Sequence, residues 1–331
     1  MTFPTRQDFF RLAAALALLC ATLGGLFGVG ARGRDQRATE NIARSGADEP
    51  SAGDAAKPLP FEPGEDLIYQ ADFSKLVLRG VEIAEFRFTA SRAKVSATNA
   101  GESQPRPPTQ QSDATQPRGA AAQSQVAPPN LVFKGDVRAK GFFHKLFGID
   151  FHYTQESVVD ARDFLILRTT KRDEQGRRVR ESVAEFDRRA DRFTFTERDP
   201  NAPAEPPRVV NAPVRDAAHD IVSAIYYLRA QPLAVGKTFD LAVSDDGRTA
   251  HVPVRVVERQ VMSTAVGRVA AFRLDVGLFG AGRLVEGRGG EMTIWLTDDA
   301  RRLPVRARLD ADIGTLDIKL KRVTGGIARQ K

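Results

Sequence analysis

From about residue 66 to 322 the chain alternates apolar and polar residues with a period of two, and one segment breaks the pattern with helical spacing. Alternation puts every second side chain on the same face of an extended strand, which predicts half-buried sheet. Ile149, Phe151 and Tyr153 against Asp150, His152 and Thr154 show the pattern plainly. Further strands are predicted at 66–73, 76–90, 131–139, 164–172, 177–187 and 191–198, then at 238–244, 249–258, 268–278, 283–296, 303–311 and 315–322. Turn residues such as Glu174-Gln175-Gly176 and Asp245-Asp246-Gly247 separate them. The fold class expected is mainly β: a meandering antiparallel sheet curled into a partial barrel or a sandwich.

The interruption is a helix predicted over residues 216–229, DAAHDIVSAIYYLR. Ile221, Ala224, Ile225 and Leu228 form its apolar face, Asp216 is its expected cap, and Arg229 suits the negative end of the dipole. Residues 199–213 read as proline-rich loop, and 141–147 as one short helical turn.

The N-terminus sets the compartment. Residues 12–31 are uncharged and mostly apolar, preceded by Arg6 and Arg11 and followed by Arg32 and Arg34. This layout is that of a secretory signal or of an N-terminal hydrophobic anchor helix, and the length fits either. The exported part is then periplasmic or otherwise extracytoplasmic, held at the inner membrane through residues 12–31 if they stay attached. Gln7 stands where a twin-arginine motif needs its second arginine, and Cys20 lies mid-run after Leu19, so neither motif is complete. Residues 32–60 read as a flexible linker. Residues 97–130, rich in Pro, Gln, Ser and Ala, are predicted to be a disordered insertion in a single domain spanning 61–324, with a tail at 325–331.

Composition removes several chemistries. Cys20 is the only cysteine, so the domain has no disulfide and no thiolate nucleophile or ligand. The formal charge is +7, but the basic runs alternate with Asp and Glu, as on a solvated face. Export argues further against a nucleic-acid partner.

The densest set of potential ligands is His144, Asp150, His152 and Glu156. Strand parity puts Asp150, His152 and Glu156 on one face, but it is the polar face opposite Ile149, Phe151 and Tyr153. No metal or cofactor is expected there. Asp298-Asp299 reads as a hairpin turn, and Ser223 lacks the Gly-x-Ser-x-Gly elbow of a hydrolase.

Three segments in order carry a resemblance: Pro63-Gly64-Glu65-Asp66-Leu67-Ile68-Tyr69, the helix Asp220–Arg229, and Ile294-Trp295-Leu296-Thr297-Asp298-Asp299 through Arg302-Leu303-Pro304-Val305. Together they resemble the bacterial domain-of-unknown-function family 3108 over residues 61–324. The resemblance implies an exported, mostly β protein with no assigned activity and no catalytic residues to carry over. Within these segments Tyr69, Tyr226, Tyr227 and Trp295 are the candidate groove or structural residues. Tyr226 and Tyr227 cannot both face inward, and Trp295 is expected to anchor core.

Three readings of function follow. One is a non-enzymatic binding or chaperone-like module for lipid, lipoprotein or glycan, suggested by the general resemblance of such a curled sheet to lipoprotein-carrier folds. The second is an assembly factor that binds an envelope protein through its surface or through residues 97–130. The third is a hydrolase built around His152.

Overall fold

In the computed structural model, which describes residues 59–76, 78–93, 130–140, 150–214, 217–285, 289–312 and 314–325, the alternating segments are strands. The first series is β1 (Asp66–Lys75), β2 (Leu78–Arg92), β3 (Leu131–Ala139), β4 (Phe151–Val159), β5 (Ile166–Gln175), β6 (Arg178–Asp187), β7 (Arg192–Arg198) and β8 (Arg208–Ala212). The second is β9 (Ala218–His219), β10 (Thr238–Asp245), β11 (Arg248–Thr264), β12 (Gly267–Val276), β13 (Gly290–Thr297), β14 (Pro304–Ala311) and β15 (Gly314–Thr324). Among the described residues there is one helix, α1 (Ile221–Ala230), between β9 and β10.

The fifteen strands of the described residues form one sheet in the order β8-β7-β6-β5-β4-β3-β2-β1-β15-β14-β13-β12-β11-β10-β9. Each series is a meander, and the antiparallel pairing of β1 with β15 joins the two. The parallel bridge of β9 with β10 departs from the antiparallel pattern.

Chain connectivity dictates the shape. Laid flat, fifteen strands would span about 65–70 Å. Yet β8 and β9, the two edges, are separated by only five residues, which reach no more than about 20 Å. The sheet must therefore roll until its edges approach. Contacts across the gap agree: Lys171 of β5 forms an ion pair with Asp245 of β10, and Arg208 Nη2 donates to the Asp246 carbonyl at 3.4 Å. The expected curl is thus a single open, rolled sheet, neither a closed barrel nor two stacked sheets, because β8 and β9 each have one ladder partner.

The helix differs from its expected bounds. It begins at Ile221, capped by Asp220 and not by Asp216, which lies outside the described residues. Ala218 and His219 are drawn into the bridge with Ala242 and Val243 of β10, and that fixes them as extended chain. Asp220 and Ser223 cap reciprocally: Ser223 N donates to Asp220 Oδ1 at 2.8 Å, and Asp220 N donates to Ser223 Oγ at 2.9 Å. Two further differences concern strands. Residues 208–212, expected as loop, form edge strand β8, and the strand expected from 283 begins at Gly290. The N-terminal hydrophobic segment, residues 97–130 except Asn130, the turn at 141–147 and His144 lie outside the described residues.

Because the sheet wraps it, α1 is buried on opposite faces. Ala224 and Leu228 join a large core cluster with the inward residues of β1, β2 and β10–β15. Val222 and Tyr226 join a second cluster with Phe61, Leu131, Phe133 and Phe195. Gly135 of β3 allows this close approach, since a Cβ there would stand 3.2 Å from Val222 Cγ2 and 3.4 Å from Phe88 Cε1.

Candidate functional site

A ten-residue helix with small residues such as Ala224 does not fill the space the roll encloses. Two adjoining cavities remain, of about 90 and 60 Å³. The larger is walled by Val137, Ile221, Ala224, Leu228, Val254 and Ile294, among others. The smaller includes Tyr69, Ile225, Tyr226, Arg229, Pro304 and Arg306 in its wall. Phe86, Phe88, Ile225, Met292 and Ile294 belong to both. Protein interiors seldom leave voids larger than a water molecule, so this chamber is a feature to explain. Phe88, Ile221, Ile225 and Leu278 in its walls keep partial exposure and mark its rim.

Polar contacts clamp both ends of the helix. At its start Asp220 Oδ2 accepts from Thr169 Oγ1 of β5 at 2.6 Å. A buried hydrogen-bond ladder, Tyr153 hydroxyl to Gln155 (2.7 Å) and Gln155 to Ser157 (3.2 Å), runs along the neighbouring strand. At its end Arg229 is fully buried with Glu65, Nη1 to Oε1 at 2.5 Å and Nη2 to Oε2 at 2.8 Å. Nη2 also donates to the carbonyls of Pro60 (3.2 Å) and Arg301 (3.1 Å), while Phe61 and Tyr226 rings flank the guanidinium at 5.2 and 5.1 Å. Burial opposes the arginine's charge, but the Glu65 hydrogen bonds and charge outweigh it and hold the pKa above its ordinary value.

Two of the four residues singled out in the sequence meet at this chamber. Tyr69 lines the smaller cavity and donates its hydroxyl proton to the Pro304 carbonyl at 2.8 Å. Tyr226 lines the same cavity, stacks on Phe133 with centroids 4.0 Å apart, and has no hydrogen-bond partner for its hydroxyl among the described residues. Burial raises both phenol pKa values. Tyr227 belongs to neither wall; it is half-buried against the His219 ring at 4.3 Å. Trp295 also lies outside both walls, buried beneath the Arg306 guanidinium at 5.1 Å.

The polar candidates have structural partners. On the outer face His152 lies between two carboxylates, with Nε2 3.3 Å from Asp136 and Nδ1 3.5 Å from Glu174. The Arg138 and His152 contacts hold the Asp136 carboxyl below its usual range, outweighing the opposing effect of burial. Glu156 pairs with Lys134 at 2.6 Å, four residues along β4 and so about 13 Å from His152. Asp150 is exposed, with its carbonyl accepting from Gly176 N at 3.0 Å. Asp298 pairs with Arg259 (2.6 Å) and Arg302 (2.8 Å), and Asp299 Oδ1 accepts from the Arg301 and Arg302 amides of its turn. Among the described residues no group of three His, Cys, Asp or Glu side chains could hold a metal, and no helix is long and apolar enough to cross a membrane.

Sequence reasoning missed Glu65, which reads as part of an opening turn, and Thr169. The available signal was the coincidence of three segments: 63–69, 220–229 and 294–305 converge through Glu65–Arg229, Arg229–Arg301 and Tyr69–Pro304.

The backbone is similar to that of a β-barrel-like protein of domain of unknown function DUF1849 from Brucella abortus, at 10% identity, 81% of this chain, 99% of that chain and a TM-score of 0.48. It is also similar to a candidate lipoprotein from Parabacteroides distasonis (7% identity, 80% and 97% coverage, TM-score 0.29). A third similar structure is a candidate exported protein with a YmcC-like fold from Bacteroides fragilis (8% identity, 80% and 98% coverage, TM-score 0.27). No curated protein sequence matches. The sequence profile described as "Protein of unknown function (DUF3108)" matches residues 109–321, more than half of the chain, which therefore belongs to the DUF3108 family.

Proposed function

We propose that this chain is a non-enzymatic binding module of the cell envelope that takes up an apolar tail, that of a lipid or lipoprotein, between α1 and the rolled sheet. The observation that carries this reading is the apolar chamber of about 90 and 60 Å³ beneath the helix. Its walls favour an apolar tail over a glycan, whose hydroxyls would be buried there mostly without partners. The place of His152 on the outer face among Asp136 and Glu174, outside both cavity walls, weighs against the hydrolase reading. The hydrophobic run at residues 12–31 supports an extracytoplasmic setting.

Magnitudes limit the ligand. A cavity near 150 Å³ accommodates a molecule about the size of benzene, roughly six carbons. Six methylenes at about 0.8 kcal/mol each give about 5 kcal/mol, which corresponds to binding weaker than micromolar. A full acyl chain therefore requires α1 to shift outward.

The test is native mass spectrometry of the full chain extracted from membranes, together with titration of fluorobenzene, a probe of the chamber's own size, followed by fluorine NMR. Co-purifying lipid and saturable fluorobenzene binding are expected. Ile225→Trp, which sets a larger ring at the rim shared by both cavities, should abolish fluorobenzene binding while leaving the melting temperature close to native. Fluorobenzene binding unchanged in that variant would overturn the reading.

A further inference from the structure

The hairpin of β11 and β12 extends past the rest of the sheet. Ladder pairing with β10 ends at Arg255 and pairing with β13 ends at Ala271, with one last hydrogen bond from Asp298 N to the Ala270 carbonyl at 2.8 Å. From Val261 to Val269 the two strands therefore pair only with each other. A lone two-stranded ribbon is marginal in water, and this one carries apolar side chains on both faces. Val261 opposes Ala270 on one face and Met262 opposes Val269 on the other, with Val266 at the tip. Val261 and Val266 are 57% and 38% exposed. Val235, 57% exposed, sits at the same end of the roll in the α1–β10 loop, which Gly236 pins to the Val256 carbonyl. Three of the five exposed large apolar side chains among the described residues thus gather at one end.

Charge and connectivity indicate what covers them. No acidic residue occurs from Arg259 to Leu274 or from Gln231 to Phe239, and Arg268 and Lys237 form no ion pair among the described residues. The first described residues lie at this end too. Arg229 holds the carbonyls of both Pro60 and Arg301, and Asp298 of the same β13–β14 turn pairs with Arg259 at the hairpin root. In the sequence, the hydrophobic run at 12–31 precedes Pro60. We infer that this end of the roll docks on a bilayer with anionic headgroups, the hairpin tip in the interface and Arg268 and Lys237 among the headgroups. A groove on a protein partner would cover one face of the ribbon, whereas a bilayer surrounds both faces and the tip. A few valines and two cations bind weakly alone, but a tether through residues 32–60 raises the effective concentration to the order of millimolar. The inference does not rest on the chamber.

The test places an environment-sensitive nitrobenzoxadiazole label on the full chain in a Cys20→Ala background. One chain carries it at Ala265→Cys beside the tip, the other at Leu76→Cys, an exposed site in the β1–β2 turn at the opposite end of the roll. Each is reconstituted into vesicles of pure phosphatidylcholine or of an equal mixture with phosphatidylglycerol, with nitroxide on the acyl chains. In the mixed vesicles the label at 265 should shift to the blue and be quenched, while the label at 76 should do neither. Val261→Ser, Val266→Ser and Arg268→Glu together should lower the docked fraction at least about tenfold. These side chains are exposed, so the melting temperature should stay near native. A label at 265 that stays in water with both vesicles overturns the inference, and a concentration-dependent dimer in sedimentation would then assign the patch to a second copy. Equal quenching at 265 and 76 overturns it as unspecific adsorption, and equal docking on both compositions overturns the recognition of anionic headgroups. The label does not report on the chamber, so this inference and the binding function fail separately.

Discussion

Arg229 and Glu65 form a bidentate ion pair with both side chains at 0% exposure, although 164 residues separate them. The pair ties the end of α1 to the segment before β1, and Arg229 also holds the Arg301 carbonyl of the β13–β14 turn. Two desolvated charges satisfied chiefly by each other contribute little net stability, but removing one partner leaves the other buried and unmatched. Glu65→Leu or Arg229→Met should therefore destabilise the domain by about 3–5 kcal/mol, lowering the melting temperature by roughly 10 °C or more. Replacing both, Glu65→Leu with Arg229→Met, should recover much of that loss. Thermal denaturation of the three variants checks it; a double variant as unstable as the sum of the singles would contradict this account.

The approach of α1 to the sheet depends on Gly135. An alanine there would set its Cβ 3.2 Å from Val222 Cγ2, so that Val222 must give way by a few tenths of an ångström, and 3.4 Å from Phe88 Cε1, at the edge of ordinary contact. Gly135→Ala should cost about 1–3 kcal/mol. Trimming the opposing side chain with Val222→Ala should return part of it, giving a coupling of at least about 0.5 kcal/mol in a double-mutant cycle by urea denaturation. Additive effects would show that the helix does not press on β3 at this point.

These contacts separate what the sequence makes legible from what it hides. The spacing of Ile221, Ala224, Ile225 and Leu228 predicts the helix face that proves to line the larger cavity, because a 3.6-residue period is a local property. The Asp245-Asp246-Gly247 turn is equally local, and Asp246 and Gly247 take φ of 45° and 82°, as a two-residue hairpin demands. Glu65 is hidden, since its burial is created by Arg229 from the far side of the domain. Lys171 reads as part of a solvated basic run and Asp245 as a turn residue, and the two are buried together only because the roll brings β5 to β10. Strand β8 is hidden for the opposite reason: five mostly exposed edge residues carry no alternation to detect. Periodicity reports each element's own faces, and the chamber arises from how fifteen such faces close around one helix.

Stability should also respond to pH through His219. The ring is buried, with Nδ1 3.0 Å from the Phe164 carbonyl, which fixes a proton on Nδ1, and it packs on Tyr227. Burial lowers its pKa below the usual value near 6.5, outweighing the opposing Phe164 hydrogen bond and the nearby Asp220 and Asp163 charges. Between the folded and the unfolded pKa the unfolded chain binds more protons, so stability rises with pH in that window. The contribution is complete above about pH 6.5 and is lost as pH falls from there towards the lower folded value, at up to about 1.4 kcal/mol per pH unit. His219→Gln keeps an uncharged donor for the Phe164 carbonyl and should remove this dependence. Melting temperatures of native and variant chains at pH 7.5, 6.0 and 5.0 read the difference. The native chain should lose more than the variant below pH 6.5, whereas parallel losses in the two chains would assign the acid sensitivity to groups other than His219.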